Sequence, residues 1–218
     1  MGSENQSVHT KGIYHNLPTS DPSITGLNAI VTGANGISGF HTMRVLLETP
    51  KRWSRVYALS RRPPPKGMMS LLRNNQRSRV QHIFVDFLEE PAVVAKALQD
   101  AGVQADYAFF YSYLQPNPPA DGPKSHAWSN AIELLQVNKA LFSNFLRALE
   151  EAEITPKRLL LQTGAKNYGI HIGRHRTLAN ESDPLPKHLE PNFYYPQYEL
   201  LEDYSRRNEL GWNVICPA

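Results

Sequence analysis

The stretch that decides the fold is Ala29-Ile30-Val31-Thr32-Gly33-Ala34-Asn35-Gly36-Ile37-Ser38-Gly39-Phe40. An apolar run ends at Gly33, and Gly36 and Gly39 follow at three-residue spacing. Apolar side chains then recur on one face from Ile37 onward, at the spacing of an amphipathic helix. The pattern predicts a strand, a tight turn and a helix in succession.

Each glycine of this turn has its own predicted use. Gly33 lets the chain bend sharply, Gly36 lets the backbone approach a phosphate without a Cβ, and Gly39 lets the helix pack against the strand. The helix N-terminus adds unpaired N–H groups and a positive dipole end. Glycine-rich turns are common, so an ordinary strand-to-helix turn is the alternative. The position after a strand and before a helix favours a site for a nucleotide pyrophosphate.

Strands and helices alternate along the rest of the chain. Three prolines from Pro63 end the second strand, and residues 115–123 and 169–191 have the composition of loops. The alternation predicts a parallel sheet with right-handed crossovers, which is an α/β doubly wound sheet, or Rossmann fold. The predicted strands are residues 27–31, 55–59, 80–87, 106–111, 158–162 and 212–216, and the predicted helices are residues 37–49, 91–101, 125–153 and 195–210.

Length and composition are typical of a soluble globular protein, with 218 residues of which 41% are hydrophobic. We expect residues 1–25 to be a flexible arm, because they are polar and carry no apolar segment of a secretory signal. Residues 26–218 are expected to form the Rossmann domain. The single cysteine, Cys216, rules out a disulfide framework within the chain and fits a reducing compartment. We therefore expect a cytoplasmic protein with no membrane partner.

Positive charge is concentrated in residues 51–79, which hold nine basic side chains and no acidic one. Such a block favours an anionic partner. Nucleic acid is one possibility, but the aromatic residues that would stack on bases are few, with only Trp53 and Tyr57 in the block. A phosphate of the predicted nucleotide is the nearer candidate, and we expect no nucleic-acid partner.

Arg61 and Arg62 follow the second strand, at the position that lies near the adenosine ribose in this fold. Two guanidinium groups suit a 2′-phosphate through charge and bidentate hydrogen bonds, so the sequence favours NADP(H) over NAD. Two solvated arginines are the alternative. Asp86, at the end of the third strand, is placed to meet the adenine amino group, although such an aspartate is more often a turn cap.

Four stretches together resemble one known family. They are Thr-Gly-x-x-Gly-x-x-Gly at residues 32–39, Leu-Ser-Arg-Arg-Pro at 59–63, Leu-Gln-Thr-Gly-Ala-Lys-Asn-Tyr-Gly at 161–169 and Pro-Asn-Phe-Tyr-Tyr at 191–195. In this order they resemble the extended short-chain dehydrogenases/reductases, and within them the progesterone 5β-reductase/iridoid synthase-like group. The resemblance covers about residues 26–217 and implies NADPH-dependent reduction of activated C=C bonds of enones.

The resemblance also implies the site. It assigns catalysis to Lys166 and Tyr195, and it places Asn138 where related enzymes carry a structural or proton-relay asparagine. The cofactor-binding residues expected from the turn, the arginine pair and the family together are Gly33, Asn35, Gly36, Ile37, Gly39, Arg61, Arg62, Asp86, Phe87, Ser112, Gln162 and Tyr195.

The chemistry explains these residue types. Hydride addition to the β-carbon of an enone puts negative charge on the carbonyl oxygen, and a phenol hydroxyl aimed at that oxygen stabilises the charge. A nearby ammonium lowers the phenol pKa and can hold the nicotinamide ribose. Ketone reduction would use the same two groups, with Tyr195 as the proton donor. Without the motifs, Tyr195 would be interpreted as a packing residue and Lys166 as a surface lysine.

Two departures from the family matter. The acidic pair that usually follows the tyrosine is displaced, and Cys216 stands where the family has an arginine. The family also continues well beyond the sixth strand, so we expect the part that covers the substrate to be largely missing here. His171 and His175 lack a third ligand, so we expect no metal site.

The sequence thus predicts an NADPH-dependent oxidoreductase that reduces an enone or ketone of a small hydrophobic substrate, and the resemblance suggests a role in terpenoid or polyketide secondary metabolism. Its alternative is a truncated, non-catalytic NADP-binding remnant or redox sensor. Oligomeric state and substrate identity stay open.

Overall fold

The computed structural model describes residues 8–11, 14–18, 21–116, 131–173, 180–188 and 191–217. The strands are β1 (Val8–Lys11), β2 (Tyr14–Pro18), β3 (Leu27–Thr32), β4 (Trp53–Ser60), β5 (Val80–Phe84), β6 (Tyr107–Phe110), β7 (Arg158–Gln162) and β8 (Gly211–Ile215). The helices are α1 (Ile37–Leu46), α2 (Lys66–Met69), α3 (Asn74–Arg77), α4 (Pro91–Asp100), α5 (Ala131–Glu151) and α6 (Tyr194–Arg207), with a 3₁₀ turn at Ala165–Tyr168.

Six strands form one parallel sheet in the order β5-β4-β3-β6-β7-β8. The chain builds outward from β3 in one direction through β4 and β5, then returns to the other side of β3 for β6 and the remaining strands. The direction therefore reverses between β3 and β6. In open parallel sheets, ligands bind in the crevice that this reversal opens at the carboxyl ends of the strands. The predicted Rossmann fold is confirmed.

The sheet has a hydrophobic core on each face. One cluster includes Ile30, Leu59 and Phe110 and packs against α4 and α5. The other includes Val31 and Ala58 and packs against α1 and the segment that contains α2. Because β3 is covered on both faces, its central residues Ala29, Ile30 and Val31 are all apolar and do not alternate with polar residues.

Several element boundaries differ from the predicted ones. The third strand of the sheet ends at Phe84, since the chain turns at Asp86, whose Oδ1 accepts the Leu88 N–H at 3.0 Å. The basic region after the three prolines contains the short helices α2 and α3, which the sequence pattern did not predict. The described part of the predicted N-terminal arm contains the β1–β2 hairpin.

Some predicted segments lie wholly or partly outside the described residues. They include residues 125–130 of the long helix, residues 117–123 of the first loop, residues 174–179 and 189–190 of the second loop, and His175, which is one of these. Within the described part of the chain, no helix is both long enough and apolar enough to cross a membrane.

Candidate nucleotide-binding cleft

The glycine turn after β3 has no room for side chains at two positions. Gly33 has a φ of +59°, and a Cβ on it would lie 2.9 Å from the Tyr111 carbonyl oxygen. A Cβ on Gly39 would overlap the backbone of Gly33. The Gly36 N–H donates to the Gly33 carbonyl at 2.8 Å and closes the turn. The structure therefore contains both the sharp bend predicted at Gly33 and the close packing predicted at Gly39.

The N-terminus of α1 is open to an anion. Gly36 is its N-cap, in an extended conformation, and no side chain caps the helix. The first turn also carries no acidic residue. Neither a capping side chain nor an acidic residue of the first turn therefore occupies the first N–H groups and the positive end of the helix dipole. Both are available to an anionic ligand in the cleft.

A cleft of about 340 Å³ crosses the carboxyl ends of the central strands. The structure brings together in it every predicted cofactor residue except Tyr195. Its lining includes the glycine turn, the segments after β4, β5 and β6, and Gln162 at the end of β7. The predicted residues that line it are Gly33, Asn35, Gly36, Ile37, Gly39, Arg61, Arg62, Asp86, Phe87, Ser112 and Gln162.

The arginine pair forms one end of the cleft. Both Arg61 and Arg62 are exposed, and Arg61 Nη1 lies 3.9 Å from Asp86 Oδ2. The Asp86 carboxylate also caps the turn at Leu88, which is the alternative role considered for it. Two guanidinium groups with free access to solvent at the cleft mouth can bind a phosphate.

Thr32 fixes the back wall of the cleft, and the sequence reasoning missed it. Its side chain is fully buried, and Oγ1 accepts the N–H groups of Tyr111 at 3.0 Å and Ser112 at 3.1 Å. The hydroxyl therefore ties the end of β6 to the end of β3. A threonine directly before the first glycine of the turn is the sequence signal that could have revealed it.

Asn138 has a structural role. It is fully buried, its Oδ1 accepts the Leu114 N–H at 2.9 Å, and its Nδ2 donates to the Leu114 carbonyl at 2.8 Å. Its own carbonyl accepts Gln197 Nε2 at 2.8 Å. The side-chain amide thus connects α5 to the segment after β6, and the backbone carbonyl of the same residue connects α5 to α6 through Gln197. These bonds hold in place one wall of the cleft.

A second cleft, of about 420 Å³, adjoins the first and shares Tyr111, Ser112, Tyr113 and Gln162 with it. Lys166, in the 3₁₀ turn after β7, and Tyr194, at the start of α6, line this part. The structure therefore places the predicted catalytic lysine beside the nucleotide cleft, together with a tyrosine.

The two neighbouring tyrosines are placed differently. Tyr195 is only 6% exposed, does not line the second cleft, and donates its hydroxyl to the Asn167 carbonyl at 3.1 Å. Tyr194 does line it, with its hydroxyl 3.0 Å from where a Cβ on Gly164 would lie. Burial, with smaller effects of Tyr113 and Cys216, raises the pKa of Tyr194 to about 12. Its hydroxyl is therefore a proton-bearing donor at neutral pH, and Tyr194 is a candidate that the motif alone did not single out.

No group of three or more potential metal ligands occurs among the residues that the structure describes. His171 is described, whereas His175 lies outside the described ranges.

Sequence comparison supplies the relationship. No protein-family model matches the chain. Over 191 residues it is 30% identical to a short chain dehydrogenase of Penicillium aethiopicum, covering 87% of this chain and 46% of that protein. Over 198 residues it is 26% identical to an (S)-8-oxocitronellyl enol synthase of Catharanthus roseus, covering 87% of this chain and 44% of that protein. The chain is a homologue of these enzymes. It spans about half the length of the curated relatives that it matches.

Solved structures share the fold. The UDP-Glc/GlcNAc 4-epimerase of Campylobacter jejuni aligns with a TM-score of 0.66 at 16% identity, covering 88% of this chain and 53% of that one. A dTDP-glucose 4,6-dehydratase of Streptomyces venezuelae, solved with NAD, aligns with a TM-score of 0.61 at 18% identity, covering 87% of this chain and 55% of that one. At such identities the likeness shows the fold alone.

Proposed function

We propose that the chain binds NADP(H) and acts as an oxidoreductase of the short-chain dehydrogenase type on an enone or ketone of a small hydrophobic substrate. The observation that carries the proposal is the single cleft that collects the glycine turn and both arginines. Relatedness to a short chain dehydrogenase and to oxocitronellyl enol synthases supports the reaction class. A role in secondary metabolism and a cytoplasmic location are parts of the same proposal.

The residues of the cleft fit a dinucleotide. A pyrophosphate needs bare backbone amides, and Gly33 and Gly39 occupy positions where a Cβ would collide with the backbone. Arg61 and Arg62 would hold a 2′-phosphate, whereas a carboxylate at that position would select NAD. Bound NADPH would supply the hydride, and the side chains of the second cleft would act on the substrate.

The proposed proton-bearing groups are a tyrosine hydroxyl and Lys166. As hydride reaches the β-carbon of an enone, charge develops on the carbonyl oxygen, and a hydroxyl donated to that oxygen stabilises it. Cleft geometry favours Tyr194 for this hydroxyl, while the family motif pointed to Tyr195, whose hydroxyl is directed to Asn167. The Lys166 ammonium would favour the ionised phenol and hold the nicotinamide ribose. Its position among the lining residues of the same cleft supports this role.

A dinucleotide-binding protein without catalysis is the second candidate. The observation that favours it is the placement of Tyr195, the tyrosine that the family motif assigns to catalysis, because its hydroxyl donates to the Asn167 carbonyl and the residue does not line the second cleft. This candidate keeps the same nucleotide cleft and differs only in the second one.

One experiment separates the candidates. NADPH and NADH are titrated against the purified chain, and NADPH oxidation is then followed by absorbance with a panel of enones and ketones. Tighter binding of NADPH than of NADH, together with turnover, supports the proposed reductase. Binding without turnover supports the second candidate. Equal affinity for the two nucleotides would remove the role proposed for Arg61 and Arg62.

A further inference from the structure

A hydrogen-bonded network lies directly behind the arginine pair. Ser60, the last residue of β4, is only 5% exposed, and its Oγ donates to the Arg62 carbonyl at 2.6 Å. His82 of β5 places Nε2 3.1 Å from the same Oγ. Ser60 also lines the nucleotide cleft beside Arg61. The network therefore joins the backbone of the arginine turn to an imidazole on the neighbouring strand.

The proton count fixes the direction of these bonds. A serine hydroxyl has one proton, and the contact with the Arg62 carbonyl uses it, since two bare oxygens would repel each other at that distance. In its contact with His82, the Ser60 oxygen can therefore only accept a hydrogen bond. Nε2 of His82 must therefore carry a proton, whether the ring is neutral or charged. A charged imidazole keeps every one of these bonds.

The surroundings of His82 are unusually poor in negative charge. No carboxylate occurs in residues 50–85. Alternation along β4 and β5 puts Ser60 and His82 on the face of Ala58 and Val80, which the segment carrying α2 covers. The charged groups of the elements around His82 are Arg55 on β4, which donates to Gln81, then Arg61 and Arg62, Lys66 on α2, Arg73, Arg77 and Arg79 at and after α3, and Asp86 beyond β5.

We propose that Ser60 and His82 position the arginine turn, and that His82 takes up a proton when a phosphate group binds to Arg61 and Arg62. This rests on the proposed function, because the phosphate in question is the 2′-phosphate of NADP(H). His82 is thus a positioning residue that adds specificity for the phosphorylated nucleotide without touching it.

The sign of the effect follows from the charges. Burial lowers the pKa of His82, although its bonds to the backbone of Ser60 and Arg62 act in the opposite direction. A phosphate dianion near the ring favours the charged form and raises that pKa on binding. Proton uptake therefore accompanies binding, and affinity rises as the pH falls from above the bound pKa to below the free one. For a partly screened charge we expect a gain of about threefold, since a full pKa unit would give tenfold.

The test compares the parent chain with His82→Gln, whose side-chain amide can donate to Ser60 but cannot become charged. Adenosine 2′,5′-bisphosphate is titrated by calorimetry at pH 8 and at a pH below the pKa of the free His82 ring, which an NMR titration of the parent measures. AMP, which lacks the 2′-phosphate, is the control ligand. At pH 8 the two proteins should bind the bisphosphate alike. Below the pKa of the free ring the parent should bind it about threefold more tightly than the variant does. AMP should show no such difference.

The outcomes separate this inference from the proposed function. Bisphosphate binding with the same pH dependence in both proteins overturns the inference alone, because protonation of the ligand itself is common to both. No bisphosphate binding by the parent at either pH overturns the proposed function and the inference together. If His82→Gln does not fold, an NMR titration of the His82 ring in the parent decides. A ring pKa that does not rise with bound bisphosphate overturns the inference.

Discussion

The two halves of the cleft are built in different ways. The adenosine half consists of the glycine turn, the N-terminus of α1 and the arginine turn, all of which directly follow strands of the sheet. The half with Lys166 and Tyr194 depends on side chains from a 3₁₀ turn and from the first residue of α6. Backbone geometry defines the first half, and side-chain direction defines the second.

This difference sets what a motif can reveal. Glycine spacing specifies a backbone path, because the positions that exclude a Cβ are the same wherever that path is used. A catalytic side chain on a helix turns by about 100° for each residue of shift, at 3.6 residues per turn. Tyr194 and Tyr195 therefore face different surroundings, and the motif that contains both does not distinguish them.

The largest expected effect comes from filling the glycine turn. Gly39→Ala puts a Cβ into the backbone of Gly33, so α1 must move away from β3. We expect a loss of about 3 kcal/mol of unfolding free energy, in line with overpacking of a rigid site, and loss of NADPH binding. Urea unfolding and calorimetric titration measure the two effects.

Gly67→Ala is the matched control, since a Cβ on Gly67 meets no atom within 4 Å and the residue lies inside α2. Its stability and nucleotide affinity should equal those of the parent or rise slightly. Equal effects of the two substitutions would mean that the close approach at Gly39 is not what the turn requires.

The sequence was sufficient for the sheet and for most of the adenosine half. Apolar runs predicted all six strands of the sheet, and strand ends brought Arg61 and Asp86 together, because carboxyl ends of parallel strands meet at one edge. The hydroxyl of Thr32 was missed, since a threonine in a strand usually indicates only β propensity. The network of Asn138 was equally hidden, because its partners lie far away in the chain and only the fold brings them close.

The next effect tests the second half of the cleft. If Tyr194 supplies the hydroxyl, Tyr194→Phe should lower kcat by about a hundredfold and leave the Kd of NADPH nearly unchanged. Tyr195→Phe, which removes a bond to the Asn167 carbonyl, should have a much smaller effect on kcat. Steady-state kinetics with the best substrate of the panel measures both. A larger loss of kcat in Tyr195→Phe than in Tyr194→Phe would instead support the assignment of catalysis to Tyr195.

A smaller effect is expected at the arginine turn. Arg61→Ala removes one cation from the cleft mouth, so the Kd of NADPH should rise about tenfold while that of NADH stays the same. Arg55→Ala is the matched control, because Arg55 lies on β4, the strand that Arg61 directly follows, but its guanidinium donates to Gln81, away from the cleft. If Arg55→Ala weakened NADPH binding as much as Arg61→Ala does, the general positive charge of the region, and not a phosphate site, would explain the preference for NADPH over NADH.

The smallest effect lies at the opposite edge of the sheet and should leave both halves of the cleft unchanged. Partial burial acts to raise the pKa of Asp106, but hydrogen bonds from Lys157 Nζ at 2.8 Å and the Asn28 N–H at 2.9 Å, with the charge of Lys157, outweigh it and lower that pKa. A lowered carboxyl pKa contributes stability above its unfolded value of 3.8, and this contribution is lost as the pH falls through the folded value.

Asp106→Asn should therefore cost about 1 kcal/mol of unfolding free energy at pH 7, and the difference from the parent should shrink as the pH falls below 4. Urea unfolding across this pH range measures it. Because Asp106 joins β3 to β7 at the amino ends of the strands, NADPH affinity should be the same in both proteins, and a change in it would show that the two edges of the sheet are coupled.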